Sequence, residues 1–461
     1  MKYKLDNINV TKKIYKLKNG INVILVPLDK TNLVSIDVKF KLGYLDGYYC
    51  KCPELLHYIE HLVGHFTSNK YKSFKIISDL LHKNNASTNA YTSNNYIGFF
   101  IDGLYNSINV YLDIISNGIF DFYPDKSLVN NEKKAVYNEL NRIFSSTYYK
   151  FTKKLFKYLY KDKSDYMIEG VTKKSINYLK KYNTNNITKF IKDYLLNAKT
   201  ILTVSYDKSN TKEVIKLINK YFNIKINKNK SKIRRTKLKF KNNKLKVVYL
   251  KNTLTANKNQ NIIKFIVFYK IIPNSKRSIC LEYLCNLFNN LDYSIFYDIL
   301  RRKLGLIYNI NFSISINYTE NNYSKISIKT HCSKENLPKL INEILNIFNN
   351  ILSKDFTQET LNILYKNEIR ELSNINKNDI SSFSDYYSQN LLYNNANKLK
   401  DYKDIFKLYK SITLKDLRKE FEILKHNLLN KGVIFYNGNI NLNKKIEKIN
   451  NRKFKINYVS F

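Results

Sequence analysis

The chain has 461 residues, of which 44% are hydrophobic and 14% aromatic, and its formal net charge is +42. This length excludes one ordinary domain and suits two domains of about 220 residues each. The apolar content is sufficient for real hydrophobic cores. No apolar run approaches the roughly 18 residues that a membrane span requires, so we expect no membrane span.

The excess of positive charge has two interpretations. With 79 basic and 37 acidic residues, the chain would attract acidic peptides, nucleic acid or anionic lipid. The lysines are spread through the chain instead of being confined to one arm, which favours an A+T-rich source genome in which Lys is the default surface residue. We therefore expect nucleic acid not to be a partner, although the charge could still favour anionic substrates.

The first half opens with a strand signal and then carries an unusual helical motif. An Asn19-Gly20 turn followed by alternating apolar residues predicts a strand over 21–26. Further on, the segment His57-Tyr58-Ile59-Glu60-His61 would place two imidazoles and a carboxylate on one helical face, because positions i, i+3 and i+4 lie within about one quadrant. By composition, such an H-x-x-E-H string arises by chance in about 3 of 1,000 chains like this one.

This motif predicts a hydrolytic zinc site. Two neutral imidazoles one turn apart, those of His57 and His61, can bind one Zn²⁺, and Glu60 lies between them where it can act on a water. A structural zinc site normally has four protein ligands, often Cys, but the 5 Cys here form no C-x-x-C pair and are interpreted as reduced thiols. A catalytic site has three protein ligands, so one more ligand must come from elsewhere in the chain.

The next helical segment offers candidates for that ligand. Apolar residues recur at helical spacing over 130–142, and Glu132 and Glu139, seven residues apart, share one face of this helix. Two Glu on one helix face are usually just solvated. The nearby motif that lacks a third ligand makes the pair worth considering as part of a metal site.

The rest of the chain indicates a second domain of similar composition. The basic, low-apolar run 223–246 predicts a linker between residues 1–222 and residues 247–461. After it, strands are predicted over 247–250 and 262–269, and helices over 278–291 and 356–373. Each half therefore has a similar order of strands and helices, which is typical of tandem α+β domains.

At the metal motif, the chain resembles the inverted-zincin peptidases, the group that includes pitrilysin, insulysin and the mitochondrial processing peptidase. The resemblance implies that His57, His61 and Glu139 bind one Zn²⁺ per chain, since Glu139 lies 78 residues after His61, close to the family's spacing. It also implies that Glu60 is the catalytic base and that Glu132 supports the metal site by orienting a ligating His.

The resemblance extends to segments outside the motif. Residues 86–92 resemble a strand whose exposed edge pairs with the substrate backbone, which implies substrate binding at Asn89 and Ala90. Residues 197–204 and 212–215 resemble the strand and helix that end the first domain. Residues 300–308 resemble a segment whose Arg and Tyr, here Arg301 and Tyr308, contact the substrate and assist catalysis from the second domain.

The resemblance implies a fold of class α+β, with two tandem similar domains, each an antiparallel sheet packed with helices, that form a clamshell. Residues 1–222 would be the zinc-binding catalytic domain, 223–246 a basic linker, and 247–461 a domain that closes over the active site. The implied activity is zinc-dependent hydrolysis of peptide bonds in short or unfolded peptides.

The chain also departs from the family pattern, which keeps other functions open. Small residues that commonly precede the motif are replaced by Glu54 and Leu56, and His65, one turn beyond His61, could approach the metal or simply pack at the helix end. A catalytically weak or inactive member that serves as a subunit or scaffold is the main alternative. A nucleic-acid-binding protein with an accidental motif is a third.

Location and partners follow from weaker signals. The N-terminus has no apolar core or cleavage site of a signal peptide, and the Cys pattern agrees with a reducing compartment, so we expect a soluble intracellular protein. An intracellular parasite, an endosymbiont or a large DNA virus as the source would explain the composition. The expected partner is a peptide substrate, and the resemblance also makes a homodimer or heterodimer possible.

Overall fold

The computed structural model describes most of the chain. The described residues are 10–47, 52, 54–146, 149, 152–153, 155, 158–160, 173–224, 226, 245–251, 260–289, 294–315, 323–333, 335–373, 380–393, 399–438, 448–449, 452–453 and 456–459. Most of the predicted basic linker, 223–246, lies outside these residues, as does Cys50. The other four, Cys52, Cys280, Cys285 and Cys332, are buried.

The chain forms two compact units, and neither is continuous in sequence. The first unit comprises Met1–Lys153, Lys163–Leu238 and Ser373–Lys403. The second comprises Lys154–Asp162, Lys239–Leu372 and Asp404–Phe461. This division differs from the sequence-based boundaries because one segment of the second half packs with the first sheet. The clamshell arrangement and the roles assigned to the two halves stay predictions.

The first unit is built on a six-stranded sheet. Its strands are β1 (Lys13–Lys16), β2 (Asn22–Leu28), β3 (Leu33–Phe40), β4 (Ser87–Thr92), β5 (Ile97–Leu104) and β6 (Thr200–Asp207). Their order across the sheet is β1-β2-β6-β3-β5-β4, with β2 and β6 parallel and the other neighbours antiparallel. The turn before β2 contains Gly20 at φ 92°, a left-handed conformation that favours glycine.

The helices of the first unit lie between or after its strands along the chain. They are α1 (Tyr44–Gly47), α2 (Glu54–Gly64), α3 (Phe74–Lys83), α4 (Ile108–Phe120), α5 (Lys126–Ser145), α6 (Lys173–Lys181), α7 (Thr184–Phe190), which continues into a π-helical turn (Ile191–Leu195), and α8 (Thr211–Phe222). The inward faces of the strands and of α2, α4, α5 and α8 form one continuous apolar core. Because α2 and α5 both contribute to this core, their outer faces are held at fixed positions next to each other.

The second unit repeats this arrangement. Its main strands are β7 (Lys246–Lys251), β8 (Gln260–Lys270), β9 (Ile310–Ser315), β10 (Tyr323–Ser333), β11 (Val433–Gly438) and β14 (Ile456–Val459), in the order β14-β7-β11-β8-β10-β9. A small hairpin pairs β12 (Lys448–Ile449) with β13 (Arg452–Lys453). Its helical segments are α9 (Lys276–Asn289), a π-helical segment (Tyr297–Lys303), α10 (Leu337–Asn350), α11 (Gln358–Ser373), α13 (Tyr402–Lys410) and α14 (Leu414–Lys431).

The predicted α+β class with two similar halves is confirmed, with one correction to the sheets. They are mixed instead of purely antiparallel, because β2 pairs in parallel with β6, and β7 pairs in parallel with both β11 and β14. A strand that returns to the sheet after several helices can enter in either direction, and strand periodicity alone does not specify which. Among the described residues, no helix has both the length and the apolar content to cross a membrane.

One helix from late in the chain, α12 (Ile380–Tyr393), belongs to the first unit. It packs on β3 and β6, on the face opposite the apolar core. There the fully buried Lys39 of β3 binds Asp37 Oδ2 at 2.6 Å, and it also binds two residues of α12, Asp385 Oδ1 at 2.7 Å and Ser388 Oγ at 2.5 Å. A buried cation requires such partners, so this cluster ties α12 to the first sheet.

Candidate metal centre

Helix α2 is amphipathic, and its less buried face carries the imidazoles of the H-x-x-E-H motif. Leu55, Tyr58, Ile59, Leu62 and Val63 are buried in the core. The imidazoles of the motif lie on the other face, since they are offset from these residues by the helical period. The Tyr58 hydroxyl donates a hydrogen bond of 2.5 Å to the backbone oxygen of Val129, which fixes the distance between α2 and α5.

The two imidazoles of the motif converge. The Nε2 atoms of His57 and His61 are 3.2 Å apart, and the ring planes are inclined by 82°. The side chains are 12% and 26% exposed, so the pair lies at the edge of the core with an opening to solvent. Two ring nitrogens at this distance can donate their lone pairs to one ion, provided that both protons are carried on Nδ1.

Helix α5 supplies a carboxylate to this pair. Glu139 Oε2 is 3.6 Å from His57 Nε2 and 3.8 Å from His61 Nε2. In a tetrahedral zinc site with bonds of about 2.0–2.2 Å, ligand atoms are about 3.3–3.6 Å apart. The three distances are close to these values, so the residues present fit a zinc ion. The structure thus brings the three predicted ligands together, and their role as ligands stays a prediction.

Glu132 lies two turns before Glu139 on the same face of α5 and contacts the second imidazole. Its Oε2 accepts a hydrogen bond from Nδ1 of His61 at 2.9 Å, which leaves Nε2 of that ring unprotonated and directed at the other two donors. A carboxylate behind a ligating imidazole fixes both the tautomer and the ring orientation. This contact is the one expected for the predicted supporting role of Glu132.

His65 lies next to the site without approaching the convergence point. Its Nε2 hydrogen-bonds the other carboxylate oxygen of Glu132, Oε1, at 3.0 Å, and its ring packs edge-on against Phe74 at 4.4 Å between centroids. The sequence left open whether this His reaches the metal. Sequence reasoning missed its bond to Glu132, although the four-residue spacing from His61 placed both rings on one face of α2.

Glu54 is the other residue that sequence reasoning did not assign to the site. It is 1% exposed, lies one turn before His57 on α2, and its Oε2 is 3.7 Å from Nδ1 of that ring. This distance is longer than a hydrogen bond. Its position three residues before the first His was the available sequence signal, since i and i+3 residues are neighbours on a helix.

Glu60 is half-buried beside the imidazole pair, and its charge contributes to the electrostatics of the site. Burial lowers the pKa of His57, but the carboxylates of Glu54, Glu60 and Glu139 outweigh burial and raise it overall. The phenol of Tyr44, 6.4 Å from the His57 ring between centroids, is in the same field. Burial, followed by repulsion from the same carboxylates, raises the pKa of Tyr44, so its hydroxyl stays protonated. The carboxylates of Glu54, Glu60 and Glu139 therefore make the surroundings of His57 favourable for a positive charge.

The predicted substrate strand is β4, which lies at the edge of the described sheet, beside β5. Asn89 and Ala90 pair with Phe100 and Phe99 of β5 on one side. The Ala90 backbone N–H donates to the Asn89 side chain at 2.8 Å, so a pairing peptide would replace this local hydrogen bond. An exposed strand edge is a general site for an extended peptide, and the binding role of both residues stays a prediction.

Arg301 and Tyr308 contact each other within the second unit. Arg301 Nη1 donates to the Tyr308 backbone oxygen at 2.8 Å, and its guanidinium lies 4.6 Å from the centroid of the Tyr308 ring. It also stacks on Tyr297 at 4.7 Å. Tyr308 is 77% exposed, so its phenol is accessible. Their predicted action on a substrate stays a prediction.

Two family models match the chain. Residues 55–166 match Insulinase (Peptidase family M16), and residues 181–367 match the Peptidase M16 inactive domain. This chain belongs to peptidase family M16. The predicted family is thereby confirmed.

A relative of this M16 chain is the uncharacterized zinc protease YmxG of Bacillus subtilis, 24% identical over 227 residues. The match covers 46% of this chain and 49% of that protein, so it spans about half of the curated relative.

Solved structures share the fold. A protease from Helicobacter pylori has a TM-score of 0.74 at 19% identity, covering 93% of this chain and 99% of that one. The periplasmic protease PqqL from Escherichia coli has a TM-score of 0.76 at 12% identity, covering 93% of this chain and 46% of that one. A peptidase M16 inactive domain from Pseudomonas fluorescens has a TM-score of 0.73 at 13% identity, covering 94% of this chain and 98% of that one.

Proposed function

We propose that this M16 protein is a zinc-dependent endopeptidase that hydrolyses peptide bonds in short or unfolded peptides. The observation that carries the proposal is the convergence of His57 Nε2, His61 Nε2 and Glu139 Oε2, with separations of 3.2–3.8 Å. Among the described residues, these form the one group of His, Cys, Asp or Glu with ligand atoms close enough together to hold a metal ion. The name of the Bacillus subtilis relative, a zinc protease, supports the same ion.

The proposed chemistry assigns Glu60 to proton transfer. When bound, a Zn²⁺ ion polarises the substrate carbonyl and lowers the pKa of a water at the site. The Glu60 carboxylate would take the proton from that water and later give it to the leaving amine. Its half-buried position one residue before His61 supports this role, because a base must lie within hydrogen-bond reach of the attacking water.

Other residues would hold the site and the peptide. Glu132 would keep His61 in the Nδ1–H form through their 2.9 Å hydrogen bond. The edge of β4 at Asn89 and Ala90 would pair with an extended substrate backbone, which gives affinity without strong sequence preference. Arg301 and Tyr308 would donate hydrogen bonds to the substrate carbonyl and to the developing oxyanion.

The test combines metal analysis with a quenched-peptide assay. We expect about one zinc per chain and cleavage that stops with a chelator and returns with added zinc. Glu60→Gln should retain zinc and reduce cleavage by about 10²–10⁴-fold, since it removes the general base. Glu359→Gln, at an exposed Glu of α11, is the matched control and should cleave as the wild type does. Wild-type turnover by Glu60→Gln would disprove the mechanism.

A second function, a catalytically weak or inactive subunit, is favoured by one observation. The model that matches 181–367 is described as an inactive domain, and so is the Pseudomonas fluorescens neighbour. Zinc that binds in stoichiometric amount without chelator-sensitive turnover would support this function instead. Size-exclusion chromatography with light scattering would then show whether the chain forms a homodimer or requires a second subunit.

A further inference from the structure

We propose that Glu54 is a positioning residue, whose buried carboxylate accepts the Nδ1–H of His57 and so holds Nε2 of that ring towards the metal. This inference rests on the proposed zinc site and adds to it a residue specific to this chain. It gives each imidazole of the motif a carboxylate of its own, with Glu54 behind His57 and Glu132 behind His61.

Two buried polar atoms of Glu54 and His57 lack hydrogen-bond partners in the described part of the chain. These atoms are Glu54 Oε1 and His57 Nδ1. A buried polar atom without a partner costs free energy, so two such atoms on neighbouring side chains of one helix are rarely kept without a use. The Nδ1–Oε2 distance of 3.7 Å would become a hydrogen bond if the two side chains approached by about 0.8 Å.

A shared ion requires the same tautomer of both imidazoles. The Nε2 atoms of the two rings lie 3.2 Å apart, and both can act as ligands only if each ring carries its proton on Nδ1. His61 meets this condition through Glu132, at 2.9 Å. For His57, the carboxylate within 4 Å of Nδ1 in the described part of the chain is that of Glu54.

The buried Glu54 carboxylate also favours a cation beside His57. The charged groups that act on the Glu54 carboxylate are His57, which is attractive, and Glu139, which is repulsive. A buried carboxylate keeps its charge only where a positive charge or a hydrogen-bond donor lies close to it, and Glu54 is 1% exposed. A divalent cation at His57 Nε2 would supply it, because metal binding makes the Nδ1–H a stronger donor to the carboxylate behind it.

The test measures zinc affinity and the stability of the metal-free protein separately. The variants are Glu54→Leu, which removes the carboxylate, and Glu54→Gln, which keeps its shape and a neutral acceptor. Zinc affinity is measured by competition with a chromophoric chelator, and stability by thermal unfolding after metal removal. We expect zinc binding to weaken about 10–100-fold in Glu54→Leu and less in Glu54→Gln. Metal-free Glu54→Leu should unfold at or above the wild-type temperature, because it removes a buried carboxylate whose Oε1 atom has no hydrogen-bond partner among the described residues.

The matched control is Glu420→Leu in the second unit. Glu420 is 2% exposed and accepts a 2.8 Å hydrogen bond from Arg277, so its removal should lower the unfolding temperature and leave zinc affinity unchanged. A purely structural Glu54 would give this same pattern, and that result would overturn the proposal. A zinc affinity of Glu54→Leu within twofold of the wild type would also overturn it.

A second readout separates this inference from the proposed function. In ¹⁵N-histidine spectra of the zinc-loaded protein, we expect His57 as the Nδ1–H tautomer in the wild type and a shifted Nδ1–H resonance in Glu54→Gln. An unshifted resonance overturns the role of Glu54 while the zinc site stands. Failure of the wild type to bind zinc overturns both proposals. This readout also remains usable if Glu54→Leu does not fold.

Discussion

The two sheets of this protein have matching strand orders, yet only the first carries an imidazole pair on the helix that follows its central strand. Helix α2 lies between β3 and β4 in the chain, as α9 lies between β8 and β9. Where α2 places His57 and His61 at its surface, α9 has buried Cys280, Tyr283 and Cys285. The same topology thus supports either a candidate metal site or a plain hydrophobic contact.

The partner helices differ in the same way. In the first unit, Glu132 of α5 accepts a hydrogen bond from His61 of α2. In the second unit, Glu368 of α11 accepts one from the Asn286 amide of α9. A carboxylate between the two helices is common to both units, but an amide cannot replace the imidazole as a zinc ligand. The ability to form the candidate metal site therefore depends on a few side chains, since both units share the fold.

The largest expected effect comes from removing an imidazole. His61→Ala should lose stoichiometric zinc, because two ligands do not hold the ion against dialysis. His331→Ala is the matched control, since this half-buried His of β10 lies in the second unit. Metal analysis after dialysis measures both variants. If His331→Ala lost zinc as well, the assignment of the site to the first unit would be wrong.

The next effect compares the two interhelical carboxylates. Glu139→Gln should weaken zinc binding by at least about tenfold, because a neutral amide is a poorer ligand than a carboxylate. Glu368→Gln should leave zinc affinity unchanged and cost about 1 kcal/mol of stability, since the amide oxygen can still accept a hydrogen bond from Asn286. Chelator competition and chemical denaturation measure these quantities. Equal zinc affinities for the two variants would contradict this prediction.

A smaller effect is expected at His65. His65→Phe preserves the edge-on ring contact with Phe74 but removes the hydrogen bond to Glu132 Oε1. Glu132 would then be less restrained behind His61, and we expect zinc affinity to fall about threefold. His82→Phe, at an exposed His of α3, is the control for the loss of a His. A loss as large as that of Glu139→Gln would mean that His65 is itself a ligand.

The smallest effect is a pH dependence of the first unit. Burial, and then the charge of Lys41, lowers the pKa of Lys199 to about 8. Between this value and the unfolded value of 10.5, the unfolded chain binds more protons, so stability should rise as pH increases from 8. Lys199 is exposed, so solvent screening reduces the effect, and we expect a gain below about 1 kcal/mol between pH 7 and pH 9. Denaturation at both pH values should show a flatter dependence for Lys199→Gln, and an identical dependence would refute the assignment.

Local pattern was sufficient to predict the helices and strands that carry the site. The motif 57–61 lies in α2, the segment 130–142 lies within α5, and the predicted second-half strands correspond to β7 and β8. Helical periodicity also placed Glu132 and Glu139 on one face of α5. In the structure this face lies against α2, where Glu139 is close to His57 and Glu132 to His61.

The features that the sequence did not reveal depend on contacts between distant residues. The parallel pairing of β2 with β6 joins segments about 180 residues apart in the chain, which alternation of apolar residues does not specify. The buried contact of Glu54 with His57 required knowledge of which face of α2 is covered. The binding of Lys39 by Asp385 joins residues 346 apart, and no local signal connects them.

The placement of α12 on the first sheet has a consequence for synthesis in the cell. The ribosome must continue about 170 residues past the end of α8 before Asp385 and Ser388 become available to Lys39. At about 5–20 residues per second, this interval is on the order of 10–30 s. During this time Lys39 lacks its partners on α12, and α12 does not yet cover its face of the first sheet. A fragment that ends at residue 222 never acquires that cover. Expression of the first half alone should therefore require either the supply of residues 380–393 as a separate peptide or the help of a chaperone.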